Sequence, residues 1–218
     1  AGFDVSRLMV GAMGTLGLLL DISLKVLPRP ERELTLQFDA DQREAVQRLN
    51  AWAGKPYPIS ASCHEGRSLI VRVSGAAAGV EAVARQLGGT PVDEAAKLWQ
   101  SIREHQADFF AGPEPLWRLS VKSTAPALPL PGRQLIEWNG ALRWAKTDAD
   151  GALVRDVARK AGGHATLFRS TTRDVAVFHP LPQPLVALHR RLKKTFDPAG
   201  ILNRGRLYPE LDSPDTGA

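Results

Sequence analysis

Two short segments carry the residue types from which chemistry could be built. In the first, Gly11-Ala12-Met13-Gly14-Thr15-Leu16-Gly17, three glycines fall within seven residues, directly ahead of an apolar, strand-like run from Leu18 to Val26. Glycine lets a backbone pass close to a phosphate or a flat ring and leaves its N–H donors unhindered. The spacing is not the G-x-G-x-x-G fingerprint, and no Lys-Ser/Thr follows as in a phosphate-binding P-loop. Taken alone, the segment suits a structural turn as well as a cofactor loop. The second segment runs from Phe196 to Arg206 as Phe-Asp-Pro-Ala-Gly-Ile-Leu-Asn-Arg-Gly-Arg. Its Asp, Pro, Gly and Asn are the residues expected where a helix stops and a turn begins.

The remaining reactive side chains are dispersed. The histidines are His64, His105, His164, His179 and His189, with no pair at i, i+4 or H-x-H spacing, so no metal site is predicted. Each lone His is expected to be structural or simply exposed. Folding would have to gather His164 and His179 with Arg169 or Arg173 to make an acid-binding cluster. Cys63 is the single cysteine, which excludes an internal disulfide and any iron–sulfur cluster held by this chain alone. A reducing compartment, the cytoplasm, fits that usage. Trp117, Trp138 and Trp144 have basic neighbours and are candidates for an exposed docking surface, against the commoner placing of alternating Trp in a core.

The chain has 218 residues, 44% of them apolar and 23% charged, which is ordinary for a globular protein. The length suits one large domain, or a medium domain with a fragment of another. The net charge of +5 gathers toward His189, Arg190, Arg191, Lys193, Lys194, Arg204 and Arg206. This reads as a solvated helix face followed by a basic tail. With two Tyr and no basic-aromatic motif, nucleic-acid binding is not expected. The run Leu16 to Leu20 stops at Asp21, too short for a membrane span, and no basic-then-apolar leader opens the sequence.

These segments must be positioned by the elements between them. Pro28-Arg29-Pro30 marks a boundary. Leu34, Leu36 and Phe38 alternate as in a strand; Ala45, Val46, Leu49, Trp52 and Ala53 follow on one helical stripe, with Asp41 and Glu44 at capping-box spacing and Gly54 suited to a left-handed stop. Tyr57 to Cys63 and Ser68 to Val73 read as a hairpin turning at 64–67. A helix through Val80, Val83, Ala84 and Leu87 closes at Gly88-Gly89, and another spans Asp93 to Ala107. Trp117, Leu119 and Val121 alternate. Arg133 to Lys146 reads as a hairpin with a two-residue turn at Asn139-Gly140. Leu153 to Ala161 is helical, Ala165 to Phe168 extended, and a last helix runs from Pro184 to Phe196. Antiparallel strands interleaved with helices, without a repeated βαβ alternation, predict an α+β fold with antiparallel sheet flanked by helices.

In this order the two glycine-bearing segments resemble a known superfamily. Asp4 to Gly17 is similar to the closing segment of the FAD-binding domain of vanillyl-alcohol-oxidase (PCMH-type) flavoproteins, and Phe196 to Arg206 is similar to that superfamily's C-terminal signature. The stretches 24–30, 162–169 and 178–181 narrow the resemblance to the FAD-binding subunits of bacterial glycolate oxidases, along nearly the whole chain. The resemblance implies residues 1–30 as the end of an FAD-binding domain, 31–195 as an α+β cap domain and 196–218 as signature and tail. It implies FAD as cofactor, with Gly11, Gly14, Thr15, Gly17 and Leu18 as contacts and Asn203 as a further one. Two departures stand out: Met13 where relatives often have a polar or acidic residue, and Arg204 where the family usually has Pro. The activity implied is oxidation of a small 2-hydroxy acid, glycolate to glyoxylate, within a complex that includes a catalytic FAD subunit and an iron–sulfur subunit. The His-rich Gly-Asp-Gly-Asn and Glu-His-Gly stretches of the catalytic 2-hydroxy-acid dehydrogenases do not occur here, and the sequence assigns no catalytic residue, leaving open whether the chain has a catalytic site of its own. Its role would be cofactor binding and assembly, with attachment at the inner face of the bacterial membrane left open. The alternative is a docking module without flavin. Most of the FAD site would precede residue 1, and this polypeptide alone would hold FAD poorly or not at all.

Overall fold

The computed structural model describes residues 4–172 and 175–211. In chain order the elements are α1 (Val5–Met9), β1 (Arg32–Asp39), α2 (Gln42–Ala53), β2 (Ile59–Glu65), β3 (Ser68–Gly75), α3 (Ala77–Leu87), β4 (Thr90–Pro91), α4 (Ala95–Arg103), β5 (Leu116–Ser120), β6 (Arg133–Glu137), β7 (Leu142–Lys146), α5 (Gly151–Lys160), β8 (His164–Arg169) and α6 (Gln183–Phe196). Two compact units divide them: residues 28–179, and residues 1–27 together with 180–218. The last helix therefore groups with the N-terminal segment, whereas the sequence boundaries set it with residues 31–195.

In the central unit, eight strands form one sheet in the order β4-β1-β3-β2-β6-β7-β5-β8, and the recorded pairings are antiparallel. The α+β class read from the pattern is borne out. Alternation decides which side chains face where. Leu36 and Phe38 of β1 and Leu69 and Val71 of β3 bury against Ala45 and Leu49 of α2. Further along the same face, Trp117 and Leu119 of β5, and Val121 just after it, pack with Val154, Val157 and Ala158 of α5 and with Leu128 and Leu130 of the proline-rich linker. The opposite face carries Cys63, Ile70, Leu116, Leu135, Leu142 and Trp144, covered in part by Ile102 of α4 and by Phe109 and Phe110 of a 3-10 turn. Helix α2 begins with the expected capping box: the Glu44 N–H donates to Asp41 Oδ1 at 2.8 Å and the Asp41 N–H to Glu44 Oε2 at 3.0 Å.

Several local expectations are corrected. Gly54 has φ −78° and is right-handed, because α2 ends in a tight turn whose Gly54 N–H donates to the Trp52 carbonyl. The 57–73 hairpin turns only at 66–67, since His64 and Glu65 remain paired with Leu69 and Ser68. The helix expected from 93 to 107 is confined to α4. The Asn139-Gly140 turn is a four-residue loop: Glu137 pairs with Leu142, and Trp138, Asn139 and Gly140 have φ of 50°, 53° and 98°. A Cβ on Gly140 would lie 2.6 Å from the Ser123 carbonyl oxygen, so close packing as well as the turn requires glycine. Of the three Trp considered for a docking surface, Trp117 and Trp144 are 2% and 3% exposed, as their inward positions on β5 and β7 dictate, and only Trp138 is exposed, at 64%.

The largest correction concerns Leu18 to Val26, which forms no strand. Leu18, Leu20, Ile22, Leu24 and Val26 are all exposed. A strand exists only where its N–H and C=O groups meet a neighbour, and among the described residues no strand pairs with this run.

Candidate functional site

In the terminal unit the two glycine-bearing segments meet. Helix α6 reaches its end at Phe196, and its last turn presents Lys193, which is buried although it is a lysine. The ammonium is satisfied three times. Nζ donates to Asp197 Oδ2 at 2.6 Å, to the Leu202 carbonyl at 2.7 Å and to the Thr15 carbonyl at 2.9 Å. Asp197 in turn accepts from the N–H groups of Ile201 and Leu202 at 3.2 and 2.9 Å. The Lys193 ammonium and these amides hold the Asp197 carboxyl down at about 2. A charged pair out of contact with water needs this completeness of hydrogen bonding to persist.

A second tie lies one residue beyond. Asn203 Nδ2 donates to the Met13 carbonyl at 2.7 Å, and Asn203 takes φ 39° to do so. Gly14 is where this approach is tightest: its φ is +72°, and a Cβ there would sit 2.7 Å from Asn203 Nδ2. A side chain at 14 would push the amide away, which gives a steric reason for this glycine. Thr15 is buried, with Oγ1 donating to the Ala12 carbonyl at 2.7 Å. Of the sequence-derived candidates, Gly14, Thr15 and Asn203 are thus brought together. Gly11 (φ +80°) has open space where a Cβ would be, Gly17 has the Met9 methyl 3.8 Å from such a position, and Leu18 projects into solvent. Lys193 and Asp197 were missed as a pair. Their i, i+4 spacing was visible, but nothing local distinguished it from an ordinary surface ion pair. Arg204, standing in place of the usual Pro, follows a tie made by Asn203 itself.

A small cavity of about 150 Å³ lies between the segments, lined by Leu8, Gly11, Thr15, Leu16, Lys193 and Tyr208 among others. It is below the roughly 300 Å³ at which pockets begin to hold whole drug-sized ligands. Loop and cavity therefore fit one edge of a large nucleotide cofactor such as FAD, through small residues and available backbone donors, and not the whole molecule.

The central unit has a separate cleft of about 1020 Å³ on the sheet face that α4 only partly covers. Arg118 lies over the Trp138 ring, 5.4 Å from its centroid. Next to it, Glu137 accepts from Trp144 Nε1 at 2.7 Å; burial raises its carboxyl above the usual range, with the Trp144 bond and the Arg118 charge acting the other way. The His105 ring stands 4.5 Å from Phe110, 4.9 Å from Trp144 and 5.1 Å from Phe168, and burial depresses its pKa, favouring the neutral imidazole. A cation, a carboxyl and a neutral imidazole are thus gathered on one face by β5, β6 and the segment after α4. The period-2 pattern of β5 marked its faces, but not that these residues would share one.

The acid-binding cluster is only partly assembled. His179 accepts the Ala165 N–H at 3.4 Å through Nδ1, and its pKa is lowered chiefly by burial and then by neighbouring His164. Arg169 turns elsewhere, donating to the Phe110 carbonyl at 2.9 Å. Arg173 lies outside the described residues. His64 is structural, with Nε2 3.0 Å from the Ala40 carbonyl oxygen. Burial pushes the Cys63 thiol well above its ordinary value, leaving it unreactive. Among the described residues no three His, Cys, Asp or Glu side chains come together as a metal site. Among the described residues no helix is long and apolar enough to cross a membrane.

Comparison with known proteins agrees with this geometry. Residues 181–207, covering α6, Lys193, Asp197 and Asn203, match the family model of FAD linked oxidases, C-terminal domain. The chain is 46% identical over 211 residues to the glycolate oxidase subunit GlcE of Escherichia coli (strain K12), an alignment covering 97% of this chain and 59% of that protein. The resemblance drawn from Asp4–Gly17 and Phe196–Arg206 is borne out. Over nearly its whole length the chain is similar to a glycolate oxidase subunit, and residues 181–207 are similar to the C-terminal domain of the FAD linked oxidases.

Proposed function

We propose that this chain is the C-terminal part of an FAD-binding subunit of a glycolate oxidase, and that it secures one edge of the cofactor. The observation that carries this reading is the convergence of Gly14, Thr15 and Asn203, from opposite ends of the sequence, on one clasp. FAD, when bound, supplies the acceptor for the two electrons removed from a 2-hydroxy acid. Gly11, Gly14, Thr15, Gly17, Leu18 and Asn203 are the residues assigned to hold it. The full-length protein would work beside a catalytic FAD subunit and an iron–sulfur subunit, in oxidation of glycolate to glyoxylate, and would not itself abstract the substrate proton. Residues 1–30 close the FAD domain, and the exposed apolar run Leu18 to Val26 supports this, since it alternates like a strand whose sheet lies outside this polypeptide.

Two preparations test the reading. Full-length protein should carry a stoichiometric visible flavin band and not turn over glycolate until the catalytic subunit is added, whereas the 218-residue chain should retain little or no FAD. Tight stoichiometric FAD on the short chain, or glycolate turnover by the full-length subunit alone, overturns the division of labour. The docking alternative draws on the exposed Trp138 under Arg118. Full-length protein lacking a flavin band even with added FAD would favour it.

A further inference from the structure

Two peptide units of the glycine loop, 13–14 and 15–16, are held in the same way. The carbonyl of Met13 accepts from Asn203 Nδ2 and the carbonyl of Thr15 accepts from Lys193 Nζ. Among the described residues every peptide bond is trans, and in a trans peptide the C=O and the N–H point in opposite directions. The N–H groups sharing these two peptides, those of Gly14 and Leu16, therefore point away from the clasp. Among the described residues neither donates to an acceptor. Gly14 is exposed and Leu16 half-buried, so both donors are within reach of a ligand. A donor on a peptide oxygen also polarises that peptide and strengthens its N–H as a donor, and a cation does so more than a neutral amide.

We infer that Gly14 N–H and Leu16 N–H form a paired donor site for the oxygen atoms of the bound flavin nucleotide, and that Lys193 and Asn203 are positioning residues that orient and polarise this pair from behind. Asp197 fixes the ammonium: with oxygens also from Thr15 and Leu202, it leaves Lys193 one geometry. Leu16 joins the donor pair through its backbone N–H. The inference rests on the flavin reading above and adds which donors meet the cofactor and what tunes them.

The test uses full-length protein and FAD as the probe, read by FAD dissociation constant, position of the visible flavin band and melting temperature. Losing a hydrogen bond to a charged group should weaken FAD by about tenfold or more in Lys193→Met, with a smaller loss in Asn203→Ala, where a neutral donor is removed. Both should shift the flavin band, and Lys193→Arg, which restores charge without the compact ammonium, should recover part of the affinity. Val154→Ala, in the central unit, should lower the melting temperature and leave affinity and band unchanged. A Lys193→Met protein that melts earlier but binds FAD as the parent does, with its band in place, overturns the inference while sparing the flavin reading. Wild-type protein that takes up no FAD defeats the flavin reading itself. Should Lys193→Met not fold, Asn203→Ala decides on the same readouts: unchanged affinity and band refute the paired-donor site.

Discussion

The central and terminal units are held by different physics. In residues 28–179 three apolar clusters lie on the two faces of one sheet, and fully buried side chains such as Leu119, Val71 and Ile136 are common. Among the described residues of the terminal unit the buried apolar ones are few, Ala12 and Val186, while Lys193, Asp197 and Thr15 are buried with them. Burial of apolar area is tolerant of exact geometry, whereas a buried ion pair depends on every hydrogen bond around it. The first unit is therefore a scaffold robust to small displacements, and the second a latch that fails when a single partner is removed or neutralised.

The largest expected effect falls on the scaffold. Leu119→Ala deletes a fully buried side chain between β5 and α5 and should cost about 2–5 kcal/mol, measured as a lower denaturant midpoint with unchanged slope. All five tryptophans, Trp52, Trp99, Trp117, Trp138 and Trp144, lie within residues 28–179. Tryptophan fluorescence thus reports this unit alone. A loss below about 1 kcal/mol, the range of ordinary surface substitutions and a little beyond, would mean that the apolar cluster is not what holds it.

The same contrast explains what could be read from sequence. The capping box at Asp41 and Glu44, the alternation along Leu34 to Phe38 and the stripe ending at Leu87 are local signals, and each element formed as its period dictated. Period 2 fails at Leu18 to Val26 because it states only that a strand has one apolar face; whether the backbone finds a partner is decided elsewhere in the fold. The turn at Asn139-Gly140 widened because the Asn139 N–H is drawn to Ser62 Oγ at 2.8 Å, a partner far away in sequence. At the candidate site, Gly14 and Asn203 were legible only through resemblance. Lys193 was not legible at all, since its three acceptors include Thr15, far away in the chain, and burial of an ammonium leaves no mark in composition.

Acid should separate the two units. Asp197 is held at about 2 against an ordinary 3.8, so the clasp contributes fully above pH 3.8 and is lost as pH falls through about 2. Protonation removes the charge that anchors Lys193 and frees the ammonium from Thr15. Protection of the α6 amides from exchange, taken against an unfolded chain at the same pH, should therefore fall between pH 4 and pH 2 before tryptophan fluorescence changes. Simultaneous loss of both signals would mean that the latch has no independent stability and that the two units are not held by different physics.

The smallest expected effect concerns a group that works against its own unit. Glu137 is half-buried, and burial raises its pKa, so the folded state prefers the protonated acid. The sign is opposite to that of Asp197. No penalty exists below the ordinary 4.5; it appears as pH rises past that value and is complete once the folded carboxyl has ionised. Glu137→Gln keeps an oxygen to accept the Trp144 N–H and never ionises, so it should raise the melting temperature at neutral pH, by at most about 1 kcal/mol of stability, and change little at pH 4. What it forfeits is the attraction to Arg118, which acts on the carboxylate alone. If the variant melts earlier than the parent at pH 7, that attraction outweighs burial, and Glu137 belongs with Asp197 among the charges that stabilise the fold. A higher melting temperature instead leaves Glu137 as a carboxyl kept in the cleft at a cost to the scaffold, beside a cation that stacks on an exposed indole.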